Sequence, residues 1–128
     1  MTGHPRILHV DDDASIREVV RMMLEGLGGM EVQSVESGRA ALEAVLAQRP
    51  DLVLLDVMMP EMDGPQTLAR LREFAPESDL PVVFLTAKVL RREMTQLQGL
   101  GAADIIQKPF RARDLIAALR AVLDRQAG

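Results

Sequence analysis

The chain has no cysteine, no tryptophan and no tyrosine among its 128 residues. Without cysteine there is no disulfide and no thiolate-held metal. That suits a reducing compartment, and the cytoplasm is the expected location. Only Phe74, Phe84 and Phe110 are aromatic, too few for base-stacking or sugar-stacking platforms. Positive charge is in deficit: 15 Lys and Arg stand against 19 Asp and Glu, a formal net charge of −4. A nucleic-acid-binding face needs the opposite sign, so no nucleic-acid partner is expected. No apolar run approaches the ~18 residues of a membrane span. The opening Met1-Thr2-Gly3-His4-Pro5 lacks the apolar core of a signal peptide. No membrane association is expected. What remains is an ordinary globular composition, 48% hydrophobic and 27% charged, in a length that suits one domain with a real core.

Four short apolar runs each end in a residue that can do chemistry. Arg6-Ile7-Leu8-His9-Val10 runs into Asp11-Asp12-Asp13. Leu52-Val53-Leu54-Leu55 ends at Asp56. Val82-Val83-Phe84-Leu85 ends at Thr86, and Ile105-Ile106-Gln107 ends at Lys108-Pro109. In an open parallel sheet, ligands bind outside the carboxyl ends of the strands. If these runs are parallel strands, carboxylates, a hydroxyl and an ammonium gather at one edge. Such a cluster suits a divalent cation and a phosphoryl group.

Stretches of helical period separate the runs. Ile16, Val19, Val20, Met23, Leu24 and Leu27 follow the spacing of one buried helix face, and Gly28-Gly29 stops it. Met30–Val35 alternates as a strand. Ser37 can cap a second helix whose inner face reads Ala41, Leu42, Val45 and Leu46, closed by Arg49-Pro50. After the turn-rich Pro60-Glu61-Met62-Asp63-Gly64, Pro65 opens a third helix to about Phe74, with Leu68 and Leu71 inward. Residues from Pro76 to Pro81 connect. A fourth helix is predicted from about Val89 to Gln98, with Leu90, Met94 and Leu97 on one face. A last one runs from about Arg111 to Arg125, burying Leu115, Ala118, Leu119, Val122 and Leu123. Five β-α units predict an α/β fold: a doubly wound parallel sheet with helices on both faces. Right-handed crossovers favour the flavodoxin-like order 2-1-3-4-5.

That order places the first and third strands side by side, so Asp11, Asp12 and Asp56 emerge close together. Carboxylates at short range make one another harder to ionise, and a hard cation relieves this. An acidic run before a helix also serves simply as a cap, and Asp13, just before Ala14, fits that role. Capping leaves Asp56 unexplained, because no helix starts directly after it. A carboxylate there can act as a nucleophile and form an acyl phosphate. Thr86 can donate a hydrogen bond to a phosphoryl oxygen, and Lys108 can reach the same oxygens as a point charge. A lone Thr or Lys at a strand end usually signifies nothing; the joint placement is what is specific.

Val10-Asp11-Asp12-Asp13, Leu55-Asp56-Val57-Met58-Met59-Pro60-Glu61-Met62-Asp63-Gly64, Leu85-Thr86-Ala87 and Lys108-Pro109-Phe110 together resemble the receiver domain of bacterial two-component response regulators. The resemblance covers about Arg6 to Leu123. It implies a phosphoacceptor at Asp56 and Mg²⁺ held by Asp12 directly, by Asp11 through water, by Asp56, and by the Met58 carbonyl. Mn²⁺ or Ca²⁺ could substitute. It implies a switch hydroxyl at Thr86, a phosphoryl-binding ammonium at Lys108 and a cis Lys108–Pro109 bond. The implied donor is a histidine kinase or histidine phosphotransfer protein, docking beside the first helix. The implied output is altered affinity for a protein target at the face of helix 4, strand 5 and helix 5, where Ile105 and Ile116 are candidate contacts. The domain is expected as a monomer or a phosphorylation-dependent dimer. It would be no enzyme beyond catalysing its own phosphorylation and dephosphorylation. A single receiver over 1–128 with no output domain is the expected arrangement, either a stand-alone regulator like the chemotaxis-type members or a receiver excised from a larger protein.

Ile105 departs from the pattern, since many relatives carry Tyr or Phe there, and a paired ring rotation is not expected of it. Ile105 reads either as an apolar partner contact or as an ordinary half-exposed strand residue. Met58 and Lys88 flank the expected site, and Met58 cannot orient a water, so no strong acceleration of dephosphorylation is expected from it. Two alternatives remain. A haloacid-dehalogenase-type phosphatase would need a second Asp at Met58. A phosphorylation-independent interaction module would be favoured by loss of the acids, Thr86 or Lys108, and none is lost.

Overall fold

A computed structural model describes residues 4–74, 80–87 and 91–127. Its strands are β1 (Arg6–Val10), β2 (Glu31–Val35), β3 (Leu52–Asp56), β4 (Val82–Thr86) and β5 (Asp104–Gln107). Its helices are α1 (Ala14–Met22), α2 (Gly38–Ala47), α3 (Gly64–Phe74), α4 (Arg91–Gly99) and α5 (Ala112–Ala127). All strand pairs are parallel and the order is β2-β1-β3-β4-β5, the flavodoxin-like arrangement. The chain leaves β1 toward one edge and returns to β3 toward the other. The crevice where the direction changes lies between β1 and β3.

Strand parity divides the core into two layers. Leu8, Val10, Val53, Leu55, Val82 and Phe84 pack with Ala41 and Ala44 of α2, Leu68 and Leu71 of α3 and Leu97 of α4. On the other face, Ile7, Leu52, Leu54, Val83 and Leu85 pack with Val20 and Leu24 after β1 and with Leu115, Leu119 and Val122 of α5. Covered on both faces, β3 and β4 are buried at every position, which is why they read as unbroken apolar runs. Each buried Leu, Val or Phe in them contributes ~1.5–3 kcal/mol relative to exposure.

The helix starts follow from local chemistry. Asp13 Oδ1 accepts from the backbone N–H of Ser15 at 2.8 Å and of Ile16 at 3.3 Å. Ser37 Oγ accepts from Ala40 N–H at 3.1 Å. At α3, Asp63 Oδ1 accepts from Gln66 N–H at 2.9 Å while Gln66 Oε1 accepts from Asp63 N–H at 3.0 Å, a reciprocal capping box. The helix therefore opens at Gly64, one residue before the proline. Among the described residues no helix is long and apolar enough to cross a membrane.

Three expectations about buried faces change. Beyond Met22 the first helix widens into a π turn, Met23–Leu27, closed by a hydrogen bond from Gly28 N–H to the Met23 carbonyl. Arg120 donates to the Gly28 carbonyl and ties this end to α5. The wider turn carries Leu27 off the buried stripe, leaving it 75% exposed, and Val19 also faces solvent. In α2 the inner face is Gly38, Ala41 and Ala44, whereas Leu46 is exposed and Leu42 and Val45 are half-buried. On β5, Ile105 is half-buried and packs against the α2–α3–α4 layer, while Ile116 is half-buried against the opposite layer, which leaves each only partly exposed. Lys88, Val89 and Leu90, and residues 76–79 of the connector, lie outside the described residues.

Candidate functional site

The four strand ends expected to supply chemistry meet above the crevice. Asp11 follows β1 and its N–H extends the sheet to the Val35 carbonyl at 3.1 Å. Asp56 is the last residue of β3 and Thr86 the last of β4. Lys108 follows β5, its N–H bound to the Thr86 carbonyl at 2.7 Å, and the Lys108–Pro109 bond is cis. Sheet hydrogen bonds thus fix all four backbones before any side chain is placed.

The side chains then converge. Carboxylate oxygens of Asp11, Asp12 and Asp56 lie within 4.8 Å of one another. Lys108 Nζ stands between two of them, 3.2 Å from Asp56 Oδ1 and 3.4 Å from Asp11 Oδ2. Asp11 is nearly buried and Asp56 is 5% exposed, while Asp12 opens to solvent. Asp11 Oδ1 accepts from Asp13 N–H at 2.9 Å, and the Asp11 carbonyl accepts from Arg17 Nη1 at 2.6 Å. Three acids outnumber one ammonium. Burial first, and then Asp11, push the Asp56 carboxyl above its ordinary range against the pull of Lys108, with Asp12 adding to the rise. Burial works against the Lys108 ammonium, but Asp56 and Asp11 outweigh it and hold its pKa above the usual value.

The loop after β3 is shaped by backbone crowding. A Cβ on Gly64 would lie 2.6 Å from the Asp56 carbonyl oxygen and 2.9 Å from Val57 Cα. Only glycine lets the start of α3 close against the end of β3, with Gly64 N–H bound to the Val57 carbonyl at 2.9 Å. Glu61 takes the left-handed conformation at φ 67°, which costs a non-glycine residue ~1 kcal/mol. Met58 projects from this loop, 72% exposed. With Val57, Pro65, Thr86, Glu93 and Leu97 it lines a groove of about 430 Å³ between the loop and α4. Thr86 is buried beside that groove.

Asp11, Asp12, Asp56, Met58, Thr86 and Lys108 all lie at this edge. The donor set is all oxygen, as Mg²⁺ prefers, and its excess of carboxylates is what a hard cation would offset. Two neighbours were not expected. Arg17 lies one turn into α1, where a sequence offers no sign that it reaches back to a strand-end carbonyl. His9, completely buried in β1, has Nε2 3.7 Å from Asp11 Oδ2. Burial above all, then Lys108 and Arg17, lowers its pKa to about 3, so the ring is neutral and no ion pair forms. An imidazole within an apolar run gives no sequence signal of its own.

Comparison with known proteins agrees with this geometry. The family model for the response regulator receiver domain matches residues 7–120. The chain is 42% identical over 120 residues to Response regulator MprA of Mycolicibacterium vanbaalenii, covering 94% of this chain and 51% of that protein. It is 43% identical over 124 residues to DNA-binding response regulator MtrA of Mycobacterium tuberculosis, covering 97% and 53%. The chain therefore spans about half the length of the curated relatives it matches. Among solved structures, Vibrio cholerae chemotaxis protein CheY4 superimposes with a TM-score of 0.87 at 30% identity, over 94% of this chain and 99% of that one. A CheY-like receiver domain protein from Methanospirillum hungatei gives 0.87 at 27% identity, over 98% of each. A family whose receivers generally bind Mg²⁺ through acidic residues and interact with histidine kinases thus shares both the sheet order and the acidic edge, and this chain belongs to it: it is a response regulator receiver domain of two-component signalling.

Proposed function

We propose that Asp56 accepts a phosphoryl group from the phosphohistidine of a histidine kinase or histidine phosphotransfer protein. The observation that carries this reading is Lys108 Nζ poised between Asp56 and Asp11 at 3.2 and 3.4 Å, beside three converging carboxylates. An oxygen of Asp56 forms the new O–P bond in line as the donor's N–P bond breaks. The donor imidazole leaves with the electron pair and takes a proton from solvent. Lys108 turns from the carboxylates to the equatorial phosphoryl oxygens, where its charge is best used. Asp11, Asp12, Asp56 and the Met58 carbonyl would hold Mg²⁺, which when bound supplies charge neutralisation at the transferring oxygens.

The new dianion would draw the Thr86 hydroxyl toward it and bias an existing equilibrium at α4, β5 and α5, changing affinity for a protein target. Ile105 cannot supply a ring rotation, so this readout runs through Thr86 and the groove next to it. The domain would catalyse only its own phosphorylation and dephosphorylation, in the cytoplasm. Its position in the sheet family and its Met58 both count against an external phosphatase substrate. Some relatives are named DNA-binding regulators, which sets the expectation of no nucleic-acid partner against proteins about twice this length. We assign DNA contact to segments other than this acidic receiver.

The test is intact-protein mass after incubation with acetyl phosphate and Mg²⁺. One added phosphoryl group is expected on the native chain, and none on Asp56→Asn or without the cation. Labelling that survives Asp56→Asn would overturn the assignment.

A further inference from the structure

His9 sits mid-sheet with nothing to bind. In the parallel register its neighbours are Ser34 on β2 and Leu54 on β3. Its surface is 0% exposed. Neither ring nitrogen has a hydrogen-bond partner among the described residues, and neither does the buried Ser34 Oγ. Buried polar atoms are nearly always paired, and leaving one unpaired carries its full desolvation cost. An aliphatic residue would fill this position without that cost. Strand parity places His9 with Ile7, and Ser34 with Val32, on the α1–α5 face, so the two orphans share one side of the sheet. Asp11 Oδ2, 3.7 Å from His9 Nε2, is also the oxygen that Lys108 holds at 3.4 Å.

We propose that His9 is a positioning residue for Asp11: once Lys108 leaves Asp11 Oδ2 for a phosphoryl group, the Ser34 hydroxyl, unpaired until then, turns to donate to Nδ1 and Nε2–H donates to Asp11 Oδ2. This rests on the phosphoacceptor reading above. A neutral imidazole has one donor and one acceptor, and the partner of one nitrogen selects the tautomer. Ser34 at Nδ1 leaves the proton on Nε2, aimed at the acid. Lys108 serves two carboxylates, so its departure strips Asp11 of its ammonium partner at the moment when Asp11 must keep its orientation. A second, uncharged donor behind the carboxylate fixes that orientation without competing for the transferred group. Partners behind a metal-binding acid typically change affinity or activity 10–100-fold.

The chain has two histidines, His4 and His9, so ¹⁵N-histidine labelling yields two ring systems. His4, at the exposed amino end, serves as the internal control. Long-range ¹H–¹⁵N spectra should show His9 in the Nε2–H tautomer. Its Nε2 signal should move when beryllium fluoride, an acyl-phosphate mimic, is added with Mg²⁺, and Asp56→Asn should abolish the movement. An Nδ1–H tautomer, or unmoved nitrogens while the mimic is bound, overturns the proposal. Failure of the mimic and of acetyl phosphate to engage the native chain would overturn the phosphoacceptor reading, and this one with it. Among variants, His9→Leu should slow labelling by acetyl phosphate about tenfold, and His9→Gln, which keeps a donor at the Nε2 position, should restore it. Native rates in His9→Leu, or equal slowing in both variants with intact folding, would reduce His9 to packing.

Discussion

On the β1–β3 flank of the pocket, the central acid is held from several sides. Asp11 is buried, its two oxygens and its carbonyl engaged by Asp13, Lys108 and Arg17. β3 beneath it is buried at all five positions. On the β4–β5 flank the structure thins toward its edge. β5 has four residues, exposed at both ends, and Leu97 is the one buried side chain among the described residues of α4. Chemistry needs acids fixed to within fractions of an ångström, whereas a switch needs an element whose displacement costs little. The first flank meets the former need and the second the latter, with Thr86 and Lys108 joined by a backbone hydrogen bond where they meet.

The sharpest way to break that contrast is to delete equal volumes on each side. Leu54, fully buried in β3, should cost about 4 kcal/mol as Leu54→Ala, the upper part of the range for closed core sites. Leu97→Ala, on a helix otherwise exposed, should cost about 2 kcal/mol because the site can collapse. Urea unfolding of both variants measures this. Equal losses would mean that α4 is as firmly docked as β3 is buried, and the division of labour would fail.

A second probe titrates the fixed flank. His9 has its pKa lowered from 6.5 to about 3, chiefly by burial and then by Lys108 and Arg17. The unfolded chain therefore binds a proton that the folded chain refuses. His9 contributes stability that is fully present above pH 6.5 and is lost as pH falls toward 3. The slope inside that window is ~1.4 kcal/mol per pH unit, so roughly 2.5 kcal/mol disappears over its first two units. His9→Leu should flatten that part of the stability curve. A native slope retained in His9→Leu would place the titration elsewhere.

Much of this was legible in the sequence for one physical reason. Strands covered on both faces must be almost continuously apolar, so β3 and β4 announce themselves, and the polar residue that ends each marks the edge where ligands bind. Asp13, Ser37 and the Asp63–Gln66 pair mark helix starts because capping is local chemistry. What failed depends on geometry that a linear pattern does not carry. Leu27 keeps the helical spacing, yet the π turn rotates it into solvent. Leu46 is displaced from the core because α2 presents its smallest residues inward, with Gly38 tight against Met62 and Thr67. His9 and Arg17 gain meaning only from their distance to Asp11, set by strand register and helix approach. The role of Ile105 likewise needed its packing partners, which lie inward.

The smallest expected effect concerns the cost of holding the acids together. Asp56 has its pKa raised by burial and by Asp11, against the pull of Lys108. For a group raised in the folded state, the favourable contribution is complete below the unfolded value of 3.8 and is lost as pH rises through the folded value. At neutral pH the ionised carboxylate therefore works against the fold when no cation is present. Asp56→Asn should stabilise the cation-free domain by about 1 kcal/mol, the order left when like-charge repulsion is partly offset by a neighbouring ammonium. In a chain of this size that raises the melting midpoint by about 4 °C. The gain should shrink toward zero as pH falls below 3.8, where both forms are uncharged at this position. Mg²⁺ should stabilise the native chain more than the variant and narrow the difference at neutral pH. Destabilisation by Asp56→Asn at neutral pH without cation would show that the Lys108 contact outweighs burial and repulsion. The fixed flank would then be held by its ion pair, and not kept under charge strain that a bound cation relieves.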